Sequence, residues 1–102
     1  MTGKEKFMAS MAADVVDYMT RLKEELEDIH NDPDTSYSHS LLAMNRGDEC
    51  KQEILLIAVK CLERGLTREE TEEVIKAADE YFSIEDLVLE ADDIVKPEKA
   101  AM

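Results

Sequence analysis

Three groups of residues in this 102-residue chain have types that could do chemistry. The first is the loop HNDPDTSYS, where His30, Asp32, Asp34 and His39 gather hard and borderline metal ligands. Their spacing matches no calcium or zinc loop motif, and helix-capping aspartates beside loop histidines account for the same pattern. The second is Glu25, a carboxylate on an otherwise apolar helical seam. Such a charge either reaches water at a frayed helix end or has a partner. Glu27 and His30 also make a Glu-x-x-His pair, but Glu27 points away from that seam. The third is the cysteines, Cys50 and Cys61, eleven residues apart on one helix. At that spacing their Cα atoms stand about 16 Å apart, beyond disulfide reach. They read as small core residues in a reducing cytosol. No base stands beside either thiol, and there is no Gly-rich phosphate loop and no glycine-flanked nucleophile. The residues therefore argue against an enzyme.

These side chains are positioned by helices. Gly and Pro are scarce, while Ala, Leu, Met, Glu and Lys abound, and no alternating apolar/polar run is long enough for a strand. The centre of the chain is Glu49–Gly65, ECKQEILLIAVKCLERG. Projected as a helix, Cys50, Ile54, Ile57, Ala58, Cys61 and Leu62 form one stripe, and Leu55 and Val59 widen it past a half-circle. Leu56 sits inside the remaining polar strip. A helix this apolar must be covered on nearly every side. Before it, a first helix runs from about Glu5 to Ile29, with Met8, Val15, Leu22 and Ile29 recurring every seven residues. Pro33 stops it, and one of Asp34, Thr35, Ser36 and Ser38 caps the next helix. The stretch His39–Arg46 is either a short helix of its own, closed by Gly47 and followed by Asp48 as the next N-cap, or part of one helix that crosses Gly47. Thr67 and Glu70 make a capping box for a helix burying Val74, Ile75, Ala78 and Phe82. Ser83 and Asp86 make a second box, for a helix burying Ile84, Leu87, Val88, Ala91, Ile94 and Val95. Pro97 is expected to end that helix and to leave 96–102 as a flexible tail. The fold class expected is all-α, a single domain of four to five helices built on a long antiparallel helical hairpin.

The segments KEELEDI (Lys23–Ile29) and LLAMNRGDE (Leu41–Glu49) resemble the two metal-bearing helices of encapsulated ferritins. Those are small two-helix ferritin-like subunits that oxidise iron at subunit interfaces. The resemblance covers about thirty residues. It implies that Glu25 and Glu49 stand where that family has its two glutamate ligands, with iron as the cofactor. The family's histidine falls on Gln52, a poor iron ligand, and the loop between the segments is shorter here.

The formal net charge is −13. Residues 67–95 carry 2 basic and 11 acidic groups and so hold −9 of it. Nucleic acid and anionic membranes would repel that stretch. The segment CLERGLTREETEEVI opens like a helix-turn-helix, but the helix that would read DNA, ADEYFSIEDLVLEA, has no Lys or Arg. No stretch is long and apolar enough to span a bilayer. What remains is interaction. Leu56 and Leu89 are apolar residues on wet faces, and with Leu55 and Val59 they are the expected interface. The sequence therefore predicts a cytoplasmic, acidic interaction or regulatory protein, a homodimer with a possible basic protein partner. Ferritin-like iron binding at a subunit interface is the alternative.

Overall fold

The computed structural model describes residues 2–31 and 37–100. Four α-helices and one 3₁₀ segment account for nearly all of them: α1 (Gly3–Asn31), α2 (Tyr37–Glu63), α3 (Arg68–Val74), the 3₁₀ segment Lys76–Glu80, and α4 (Ile84–Ala100). There is no strand among the described residues, so the molecule is the all-α bundle its composition called for. No helix among them is long and apolar enough to cross a membrane.

α1 and α2 form the antiparallel hairpin. Their cross-contacts run in opposite order along the two helices. The Arg64 guanidinium lies 4.5 Å from the centre of the Phe7 ring. The Cys50 thiol donates to the Tyr18 carbonyl at 3.8 Å, and Arg46 meets Glu25. Val15, Met19 and Leu22 of the seven-residue seam are buried against the core stripe of α2, where Ile54, Ala58 and Cys61 are fully enclosed. α4 packs chiefly on α2, and α3 and the 3₁₀ segment lie against α1. Ion pairs tie these pieces down: Lys4 with Glu70, Lys23 with Glu80 at 3.5 Å, and Asp92 with both Arg68 and Lys96.

α2 is one helix. Gly47 lies inside it rather than at a cap, and Asp48 is helical rather than an N-cap. The helix runs on through both residues, and the roughly 1 kcal/mol an internal glycine costs is too little to break it. The true end comes at Gly65. Its φ of 94° is a left-handed conformation that favours glycine. There the Gly65 amide donates to the Leu62 carbonyl at 3.0 Å and the Leu66 amide to the Cys61 carbonyl at 3.1 Å. This is a Schellman closure, with Leu66 folded into the core behind it.

The capping box at Thr67 is complete: its hydroxyl accepts from the Glu70 amide at 3.1 Å, and its own amide donates to the Glu70 carboxylate at 2.9 Å. At Ser83 only one half of the expected box forms, the Asp86 amide donating to the hydroxyl at 3.3 Å. The helix expected to run from Thr67 to Phe82 is broken at Ile75 and continues as the tighter 3₁₀ segment. A three-residue period puts Ile75 and Ala78, both fully buried, on one ridge. α4 does not stop at Pro97 as expected; its backbone is helical to Ala100. A proline in a last turn removes only one intrahelical hydrogen bond. The stop at Pro33 and the caps at Asp34, Thr35 and Ser36 lie outside the described residues.

Candidate functional site

The sequence offered two places for function, the Glu25–Glu49 pair and the apolar residues on the outside of the bundle. Glu25 ends the buried part of the α1 seam, one turn beyond Leu22, and Glu49 lies opposite it on α2. The hairpin brings both to one shallow groove of about 160 Å³, lined also by Tyr18, Arg46, Cys50 and Glu53. Arg46 stands between the two carboxylates. Its Nε lies 3.3 Å from the Glu25 carboxylate as an ion pair, and its Nη1 donates to Glu49 at 2.9 Å. Glu25 is thus both half-exposed and partnered. Pairs this open to water contribute little to stability, but they set what the groove can do chemically. A guanidinium already occupies the place between the two carboxylates and offsets one of their two charges.

Across the groove, Glu53 pushes the ionisation of the Tyr18 phenol above its ordinary range by charge repulsion, with burial adding to it. Among the described residues, no three His, Cys, Asp or Glu side chains come together as a metal site would require. Gln52, where the encapsulated ferritins have histidine, is exposed. Among the described residues of one copy, then, no cluster is in place to hold an iron ion. Of the loop candidates, Asp32, Asp34 and the His39 side chain lie outside the described residues.

Both cysteines are free and buried. Burial pushes the Cys61 thiol up to about 11. Cys50 is raised as well, by burial first and then by Glu53 and Glu25. Neither is a thiolate at neutral pH, which leaves them as core residues rather than nucleophiles.

The four apolar residues expected at an interface part company. Leu55 is only 6 % exposed and belongs to the chain's own core. Val59 is half-buried against that core. Leu56 and Leu89 stay out in water, at 48 % and 42 %. The width of the α2 stripe is thus largely explained inside one chain, by α1 on one flank and α4 on the other. The structure adds a second exposed group that periodicity did not single out: Leu41, Leu42 and Met44 at the start of α2. Their types were visible in the sequence. Their exposure was not, because it depends on where α4 and the 3₁₀ segment come to rest.

Compared with known proteins, the chain matches no protein-family model, no curated protein and no solved structure.

Proposed function

We propose that this is a small acidic helical protein that works through protein–protein contacts, without catalysis of its own, and associates with a second copy of itself in the cytoplasm. The observation that carries this reading is its surface. The chain exposes 6,946 Å², against about 5,800 Å² for a compact monomer of this mass. Its radius of gyration is 15.7 Å, where about 13 Å is usual for this length. The acidic stretch 67–95 suits a basic partner on the other side of the molecule. Sedimentation equilibrium at micromolar concentration is the test. A mass of twice the 11.6 kDa chain supports self-association; a chain that stays monomeric up to hundreds of micromolar contradicts it.

A second reading keeps iron. It is favoured by the meeting of Glu25 and Glu49 in one groove, and it needs a second copy to bring further donors and to draw Arg46 away. Iron retained stoichiometrically after desalting, and lost in Glu25→Ala or Glu49→Ala, would support it. A protein that comes through ferrous iron loading metal-free would dismiss it.

A further inference from the structure

The bundle is three layers of helix over one half of the hairpin and only two over the other. From Lys23 toward the hairpin loop, α1 runs on beyond the Lys23–Glu80 pair that ties it to the 3₁₀ segment. Beyond it, Leu26 and Ile29 continue the seam but are only half-buried. On α2 the same change is visible in register. Leu41 and Met44 each stand eighteen residues, five full turns, before Val59 and Leu62. Val59 and Leu62 pack against the core; Leu41 and Met44, on the same stripe, are exposed, Met44 at 65 %. Gly47 supplies an independent sign. It falls on the core-facing side of α2 between the stripes of Ile54 and Ala58, yet a Cβ built there meets no atom within 4 Å. The site where a third helix would lie is open.

We infer that this open end of the hairpin, floored by Leu26, Ile29, Leu41, Met44 and Gly47, receives the same end of a second copy, so that two hairpins close a four-helix core across a twofold axis. The inference rests on the self-association proposed above and fixes where it occurs. Charge decides between this surface and the exposed apolar side chains of the acidic stretch. Tyr81, Leu89 and Ile94 are also exposed, but they lie in the stretch 67–95 with its −9, where two identical faces repel. Residues 24–31 and 40–51, the open end itself, carry 2 basic and 6 acidic groups, −4, a smaller excess than the −9 of the other surface. Lys51 there can meet Glu24, Glu27 or Asp28 of the other copy, and the reverse, as an isologous contact requires. The open stretch is about 12 Å long on α1 and about 18 Å on α2, and an identical hairpin end matches it in length.

The test is sedimentation equilibrium of the full chain and three variants, with helix content followed by circular dichroism. Leu41→Glu/Met44→Glu is expected to weaken dimerisation at least about a hundredfold, leaving a folded monomer. The milder Leu41→Gln/Met44→Gln pair is expected to weaken it in the same direction, and serves if the glutamates disturb α2. Leu89→Glu is expected to leave the dimer intact. A wild-type dimer that survives the Leu41/Met44 changes, or that Leu89→Glu breaks, overturns this placement while leaving self-association standing. A wild-type chain that is monomeric throughout overturns both.

Discussion

Within the single helix α2, the apolar residues of 50–62 and those of 40–49 have largely opposite fates. In the first stretch Ile54, Ala58 and Cys61 are wholly enclosed, because α1 covers one flank and α4 the other. In the second, Leu41, Leu42 and Met44 face water, and among the described residues no third layer covers them. Helix formation follows local sequence, but burial follows what other elements do. Here the turn at Gly65 and the break at Ile75 decide where the third layer begins and ends. An apolar stripe that outruns its cover is a surface with a use.

The comparison can be broken most easily with volume. Ile54→Ala is expected to lose about 2–5 kcal/mol through lost burial and the cavity left behind. Leu42→Ala, in the bare half, should stay under about 1 kcal/mol in the monomer. Urea unfolding of both at low protein concentration checks this, and equal losses would mean that the two halves are equally packed. A pH titration sharpens the same contrast. The Cys61 thiol is raised to about 11 by burial, from 9.0. Its stabilising contribution is therefore whole below pH 9 and disappears as the pH rises toward 11, when only the unfolded chain ionises. The stability gap between wild type and Cys61→Ala should shrink by about 2 kcal/mol over that window, and a constant gap would contradict the burial. The smallest effects come from the two glycines of the helix and its cap, which should have opposite signs. Gly65→Ala forces a side chain into the left-handed region and should cost about 1 kcal/mol. Gly47→Ala adds helix propensity where nothing stands in the way and should gain about 0.5–1 kcal/mol in the monomer. Thermal unfolding of the pair reads both.

The helices themselves were legible in advance. The seven-residue recurrence from Met8 to Ile29 gave α1, the Thr67–Glu70 box gave the start of α3 to the residue, and the core stripe of α2 was read from period alone. Local signals carry such features, since caps and stripes are written within one or two turns. The break at Ile75 was not legible. Val74, Ile75, Ala78 and Phe82 fit an α-helical stripe, and only packing selects the tighter turn. At the candidate site, the sequence placed Glu25 on the seam and left its partner open. Arg46 fills that place from twenty-one residues away, across the hairpin, which no local pattern reports. The expected interface of Leu55, Leu56, Val59 and Leu89 mixed residues that the chain covers itself with residues it does not. A period cannot separate them, because neighbours and solvent leave the same pattern on a helix.

Amide hydrogen exchange along α2 at two protein concentrations tests the central claim most directly. If the uncovered start of the helix is closed by a second copy, protection of amides 41–49 should rise with concentration while that of 54–62, already enclosed within one chain, stays level. Protection of 41–49 that is indifferent to concentration would contradict it.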